Sequence, residues 1–392
     1  MKSNKKIALV VPTIRILNSW RSYVENFKKY GHDLENIKLI VVDDYCPYIK
    51  ENIALLDKCN APYEFWTIDM QKQFFRKHFG AGWQKYWEVI PHRTDACRSF
   101  GYLIAALWGA EIIVTWDDDN WAINSPKSGI YDYIGKHTIV NERLTAPEAS
   151  SSTKWLNTCH FLKKSPNREL YPRGYPFSKQ NEVYSFKQNK GKVVMNVGLW
   201  IGNPDVDAIT VLNEGSMNGL PVTRTTGFSG EKLIFIAKDT FAPLNTANTA
   251  YSRDILPCIY DTFQGAQVSE LKLDRYGDIW CNFFIKKIVD AVGDKIALGV
   301  PLVDHQREPR NTMVDFMKEF WGVVVSQRIF EEVASIKLRS NNYFDAYAEL
   351  TEHLYGKSDK IYPGNKAIAK YFRKLFKSMN GWLEILEKLE LR

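Results

Sequence analysis

An α/β fold, a sheet flanked by helices and followed by a helical C-terminal appendage, is predicted by three features of the 392-residue sequence. Short continuous apolar runs recur at Lys6–Pro12, Ile37–Val42, Ile112–Trp116, Val193–Ile201, Lys232–Ala237 and Ile296–Val303. Runs of that kind, without alternation, suit strands buried on both faces. A strand, a helix and a second strand open the chain in the order of a βαβ unit. Strand signals stop near Val325, beyond which only helical periodicity remains. The expected division is therefore an α/β domain at 1–325 and a helical appendage at 326–392.

Each element has its own warrant. The first run is stopped by Pro12, and a helix follows with Trp20, Tyr23, Val24, Phe27 and Tyr30 on its apolar side and Asn18 or Ser19 as cap. The second run ends in Asp43 and Asp44. Residues 61–89 are aromatic and irregular, and are expected as loop with short helices. Within them, Gly80-Ala-Gly82 lacks the third glycine of a dinucleotide fingerprint and follows no strand, which argues against a flavin or nicotinamide enzyme. Thr94 or Asp95 starts a helix through Trp108, ended by Gly109. Arg98 sits near its N-terminus, where the macrodipole disfavours a cation. A surface arginine is the ordinary reading there, and a phosphate contact the alternative. Residues 125–178 are polar and loop-rich, and Asn245–Tyr251 is small and polar with alternating threonines. A helix over Ile279–Val292 follows Gly277 and Asp278, the latter placed to cap it. The last strand closes on Asp304-His305. Appendage helices are expected at Gln327–Leu338, Phe344–Tyr355 and Ala367–Leu389, with Lys370, Arg373, Lys374 and Lys377 clustered on the last. Packing on the main domain is their ordinary use; dimerisation, partner docking and membrane-surface contact are the alternatives.

Composition excludes several classes. Hydrophobic content of 45% and charged content of 25% exclude a disordered or fibrous chain. A net charge of +7 is too mild for a nucleic-acid binder, but suits anionic small substrates or loose contact with an anionic membrane. Six scattered cysteines without a CxxC pair read as reduced thiols of a cytoplasmic protein. The N-terminal MKSNKK has no apolar region of signal-peptide length, and no apolar stretch is long enough to span a membrane.

The third run ends in three carboxylates, Asp117, Asp118 and Asp119. Like charges so close repel, and a divalent cation with hard oxygen ligands would relieve them. Ligands of open α/β sheets bind beyond the carboxyl ends of strands, where this triplet stands. A solvated acidic turn is the competing reading.

Taken in order, the motifs resemble the UDP-arabinopyranose mutases, or reversibly glycosylated polypeptides, of plants. The resemblance is carried by Val11-Pro-Thr-Ile-Arg15 with Trp20-Arg21, Val41-Val42-Asp43-Asp44, and Ala96-Cys-Arg98 with Phe100-Gly101-Tyr102. It continues through Asp117-Asp-Asp119, Arg173-Gly-Tyr-Pro-Phe-Ser178, Gly198-Leu-Trp200, Pro204-Asp205 and Asp207-Ala208. Arg275-Tyr276, Asp278, Trp280 and His305 complete the set, over roughly Ile7 to Trp321 and short of the helical tail. The sequence departs from the plant pattern at Asp43-Asp44-Tyr45, where plants have glutamine, aspartate and glycine, at Gly277, where they have aspartate, and at Asn120, where they have cysteine.

The resemblance implies a fold like that of GT-A glycosyltransferases, a UDP-sugar substrate and Mn²⁺ or Mg²⁺. It assigns the metal to Asp117 and Asp119, with His305 completing the coordination. Asp118 would touch the ribose or share the metal; Thr13, Arg15, Asp43, Asp44, Arg98 and Trp200 would bind the nucleotide sugar. Arg168 looks like the arginine that carries a reversibly attached sugar, with Arg173 as companion and Asp278 as base or charge stabiliser. Arg168 lies closer to Arg173 than the corresponding plant residue does. Three functions stay open: a mutase interconverting pyranose and furanose UDP-sugars with self-glycosylation, a transferase to a separate acceptor, and a non-catalytic nucleotide-sugar-binding subunit.

Overall fold

A computed structural model describes residues 5–124, 131–229 and 233–392. Parts of three expected features, the N-terminal MKSNKK, the start of the polar stretch at 125–130 and Lys232, lie outside the described residues. The first half contains β1 (Ile7–Thr13), α1 (Trp20–Lys29), β2 (Ile37–Asp43), α2 (Ile49–Cys59), β3 (Tyr63–Trp66), α3 (Ile68–Phe79), α4 (Trp83–Trp87), α5 (Arg98–Leu107), β4 (Ile112–Trp116) and β5 (Asn120–Ala122). There follow α6 (Tyr133–His137), β6 (Arg143–Ser151), β7 (Leu162–Ser165), the long β8 (Tyr184–Gly202), α7 (Ala208–Asn213), β9 (Arg224–Phe228), β10 (Leu233–Ile236) and β11 (Asn248–Ser252). The chain ends with the small hairpin β12 (Ala266–Val268) and β13 (Leu271–Leu273), then α8 (Gly277–Val292), β14 (Lys295–His305), α9 (Thr312–Ser335), α10 (Tyr343–Tyr355) and α11 (Lys366–Lys388).

These build one large mixed sheet flanked by helices, in the order β3-β2-β1-β4-β11-β8-β6-β10-β14-β5. The pairs β2–β3, β1–β2 and β1–β4 are parallel. From β4 onward the sheet turns largely antiparallel, through β11 and β8. The apolar runs of β1, β2 and β4 are buried along their whole length except at Lys38. That is the two-sided burial their composition demands. Helix α5 lies on β1 and β2, and Gly101 permits it: a Cβ there would collide with the side chains of Val10 and Val42.

Two stretches differ from the sequence expectation. Residues 61–89 hold an edge strand and a 12-residue helix, α3, capped by Thr67. Their rings pack as helix-to-core contacts, with Phe74 and Phe75 meeting Phe100 at 5.4 and 5.9 Å. The polar stretch after Tyr131 holds α6, β6 and β7. Strand β6 pairs with β8 along nine residues, and its Pro147 is tolerated because the second neighbour, β10, pairs only from Glu148 onward.

The expected domain boundary at 325/326 falls inside the continuous helix α9. The last helices share the core of the sheet domain. Trp382, Phe372 and Leu386 on α11 are fully buried in the same apolar cluster as Leu9 and Val114. Trp382 Nε1 donates to Leu256 O (3.2 Å), and the Phe372 ring meets Trp280 at 5.4 Å. Lys370, Arg373, Lys374 and Lys377 face outward on α11. All six cysteines are buried and unpaired. Among the described residues, no helix is long and apolar enough to cross a membrane.

Candidate active site

The acidic loop is held at the carboxyl end of β4 from three sides. Ser19, the first residue before α1, donates its hydroxyl to Asp118 O (3.0 Å) instead of capping its own helix. Asn120 N donates to Asp117 O, and Gln306 N to Asp119 O, both at 3.0 Å. Beneath, Trp116 packs on Trp20 and Tyr23 at centroid distances of 6.3 and 4.5 Å. The antiparallel pairing of β14 with β5 sets His305 opposite Asn120, and the parallel pairing with β8 sets Val303 opposite Trp200. This register brings His305 Nε2 within 3.7 Å of Asp119 Oδ2, while Nδ1 donates to Asn203 O at 2.8 Å.

The three carboxylates have three different environments. Asp117 Oδ1 accepts from Arg98 Nη2 (2.7 Å). Asp118 accepts from Thr13 Oγ1 and Arg15 Nη1, both at 3.1 Å, and burial still pushes its carboxyl up to about 6. Asp119 Oδ1 is buried with no hydrogen-bond partner among the described residues. Burial pushes Asp119 upward too, but the His305 ring and the Arg15 charge outweigh it and hold the carboxyl below its usual range. Burial disfavours the His305 cation, yet Asp119 and Asp205 outweigh that and lift it to about 9.

The loop faces a cleft of about 900 Å³ whose other walls come from the Arg173 turn, the start of α8 and the segment 303–310. Gly174 has φ +86°, and a Cβ on it would sit 2.8 Å from Ile279, so glycine lets the turn lie against the start of α8. Arg173 there fills its guanidinium fork. It donates to Asp205 Oδ1 and Oδ2 (3.1 Å each), to Asp278 Oδ2 and Oδ1 (3.1 and 3.3 Å), and to Arg275 O. Burial opposes ionisation of Asp205, but Arg173 prevails and draws it down to about 2. Asp278 is pushed up to about 6 by burial, which Arg173 only partly offsets. Asp278 lies in the first turn of α8 with its side chain committed to Arg173, so its place in the helix is not that of an N-cap.

Thr13, Arg15, Asp44, Arg98, Asp117, Asp118, Asp119, Arg173, Trp200, Asp278 and His305 all line this cleft. Arg98 is no surface residue. It is 1% exposed and reaches Thr115 Oγ1 (2.8 Å), Thr246 O (3.2 Å) and Asp261 (3.4 Å) besides Asp117. Two expected residues are elsewhere. Arg168 is exposed on the surface segment 166–169 and does not line the cleft, because the chain turns inward only at Leu170. Asp43 is buried behind the cleft, accepting from the backbone N–H of Cys46 (2.7 Å) and Ile68 (3.3 Å) to order the turn after β2. Its neighbour Asp44 faces the cleft, and burial pushes it up to about 6 although Arg93 N donates to it at 2.6 Å.

Residues 2–391 match the family described as reversibly glycosylated polypeptide. The chain belongs to that family. The match includes the helical tail, which the sequence motifs had left outside. Relatives of the chain include UDP-arabinopyranose mutase 2 of Arabidopsis thaliana, 26% identical over 98% of this chain and 92% of its own. A probable UDP-arabinopyranose mutase 2 of Solanum tuberosum is 28% identical over 98% and 90%. Among solved structures, a mannosyltransferase of Pyrobaculum calidifontis in complex with GDP-Man and Mn²⁺ aligns with a TM-score of 0.37 at 9% identity, covering 99% of this chain and 88% of that one.

Sequence reasoning missed part of the cleft of this family member. Tyr45 and Arg93 stand at its rim with φ of 65° and 58°, the Arg93 guanidinium 4.4 Å from the Tyr45 ring centre. Tyr45 had a signal, since the resemblance marks it as a departure from the plant pattern. Arg307 and Arg310 had none beyond following His305. Among the described residues, no three His, Cys, Asp or Glu side chains are grouped to enclose a metal ion by themselves. The donor chemistry nevertheless fits a hard divalent cation. Asp119 offers an unpartnered buried oxygen, and the His305 Nε2 beside it becomes a ligand once it gives up its proton to solvent on metal binding. Mg²⁺-like ions are commonly held by one or two protein groups with phosphate and water as the other ligands.

Proposed function

We propose that this chain is an enzyme acting on a UDP-sugar, a mutase that interconverts the pyranose and furanose forms of a UDP-arabinose-like sugar. The carrying observation is one cleft that joins the acidic loop and His305 to the Arg173–Asp205–Asp278 cluster, in a chain of this family. Interconversion requires heterolysis of the bond from the anomeric carbon to the β-phosphate, exchange of the hydroxyl that closes the ring, and return of the same phosphate. Bound at Asp119 and His305, with Asp117 beside them, Mn²⁺ or Mg²⁺ would supply Lewis-acid stabilisation of the departing diphosphate.

The protein's own groups do the rest. Thr13 and Arg15 fix Asp118, so the loop presents its charges in a set geometry. Asp44 and the Tyr45–Arg93 pair offer polar and stacking contacts to uracil and ribose. Asp278 is mostly ionised at neutral pH and sets negative charge where the anomeric carbon becomes positive. Arg173, tied to two carboxylates, stays charged and orients Asp278. An arginine so held is a poor nucleophile. With Arg168 on the surface, the arrangement supports interconversion better than covalent sugar transfer to either arginine.

NMR of UDP-arabinopyranose incubated with the protein and Mn²⁺ tests the reading. Furanose signals without free UDP are expected. Release of UDP only when an acceptor is added would favour a transferase, and metal-dependent UDP binding without turnover a non-catalytic subunit. The reading places the enzyme in the cytoplasm, with the outward basic face of α11 available to an anionic membrane or a partner protein, and the C-terminal helices available for self-association. Cosedimentation with anionic vesicles and light scattering check those two points.

A further inference from the structure

Arg275, Arg307 and Arg310 line the same cleft and have no part in the scheme above. They come from two segments, one before α8 and one between β14 and α9, and converge on a single carboxylate, Asp315 in the first turn of α9. Arg307 Nη2 lies 3.2 Å from it, Arg310 Nε 3.4 Å and Arg275 Nη1 3.8 Å. Arg275 Nε also donates to Glu319 (2.7 Å), whose other oxygen accepts from Ala208 N (2.7 Å). Two carboxylates thus face three guanidiniums, and one positive charge is left over.

Arg307 is 8% exposed, yet its Nε is buried without a hydrogen-bond partner among the described residues. Buried charged donors are rarely left without an acceptor. Arg310 is anchored through its backbone N–H to Asn218 O (2.6 Å), while its side chain stays 40% exposed. Burial depresses the Arg310 pKa, and the charge of Arg275 adds to the effect. Asp315 and Glu319 fix the guanidiniums before any ligand arrives, which lowers the entropy lost on binding.

We propose that Arg307 and Arg310, backed by Arg275, bind the diphosphate of the nucleotide sugar directly, through contacts that add to those of the metal ion proposed at Asp119. The inference rests on the nucleotide-sugar reading. When the bond from the anomeric carbon to the phosphate oxygen breaks, its electron pair stays on that oxygen and the diphosphate gains a negative charge. Forked guanidiniums match phosphate oxygens in geometry and charge. They hold the released UDP in place for its return to the same carbon.

Calorimetric titration of the full chain with UDP, uridine and inorganic pyrophosphate, each in EDTA and (pyrophosphate excepted) in Mn²⁺, tests the proposal. Arg310→Gln alters a half-exposed side chain and is expected to fold. Arg307→Lys keeps the charge and removes the fork. Each variant is expected to weaken UDP about tenfold in both media and to leave uridine unchanged. Unchanged UDP affinity in EDTA, or a parallel loss of uridine affinity, overturns the site. Pyrophosphate separates the two readings. Pyrophosphate bound by the wild type and lost in Arg310→Gln, with no preference for UDP over it, keeps the arginine site and removes the uridine nucleotide. UDP bound equally by all three proteins removes the arginine site and keeps the nucleotide reading.

Discussion

At the scale of single residues, the three consecutive aspartates are not interchangeable. Asp117 and Asp118 are neutralised by arginines, and Asp119 alone keeps a buried oxygen without a partner. Asp119→Asn preserves shape and removes the charge. It is expected to lower turnover by about 10²–10³-fold and to abolish the Mn²⁺ dependence of UDP binding. Asp118→Asn, whose carboxylate is spent on Arg15, should cost less. Arg168→Ala is expected to stay within about twofold of wild-type turnover, as surface substitutions away from a site do. Arg173→Ala leaves Asp278 buried without its arginine and Asp205 with only the Asn245 amide, and is expected to lose about 3–5 kcal/mol in urea denaturation as well as activity. His137 is fully buried between Asn248 (3.0 Å) and Asn196 (3.1 Å), and burial draws its pKa down to about 4. The unfolded chain takes up a proton near pH 6.5 that the folded one refuses until about pH 4. Stability from this group is thus intact above pH 6.5 and falls as pH drops through that window. Between pH 7 and pH 4, urea titrations should show wild type losing about 3 kcal/mol more than His137→Gln.

At the scale of elements, what could be read depended on how each segment is covered. Strands β1, β2 and β4 are buried on both faces, so their composition alone betrays them. Strand β6, RLTAPEASS, has one wet stretch and a proline, and its identity comes from pairing with β8. Helix α3 buries Phe74 and Phe75 but keeps a cationic outer side, and its tryptophan-rich surroundings blur the 3.6-residue period. The site divides in the same way. The aspartates and His305 end strands, where position in sequence foretells position in space. The clustering of Arg173 with Asp205 and Asp278 depends on a turn packed against α8, which no local pattern reports. Gly174→Ala tests that turn. Its positive φ and the Ile279 contact together predict a loss of about 1–3 kcal/mol, with activity falling because Arg173 leaves Asp278. Thermal melting and turnover of the one variant measure both.

At the scale of the whole molecule, the C-terminal helices belong to the fold that carries the site. Helix α11 buries Phe372, Phe376, Trp382 and Leu386 among other apolar residues. At about 1.5–3 kcal/mol for each large side chain, that burial rivals the whole net stability of a domain, about 5–15 kcal/mol. A chain ending at Asn365 is therefore expected to be insoluble or to lack cooperative unfolding. A cooperative melt of the shortened protein would instead support a separable appendage.

The pairing of β14 with β5 and β8 has a consequence in time. The ribosome delivers the aspartate loop early and β14 late, and helix α9, which carries the carboxylates beneath Arg307 and Arg310, later still. A growing chain thus holds Arg15 and Arg98 beside the loop from the start, but carries Asp119 without the His305 imidazole until β14 is made. The cleft is closed last, when β14 and the start of α9 bring His305, Arg307 and Arg310 to residues made much earlier.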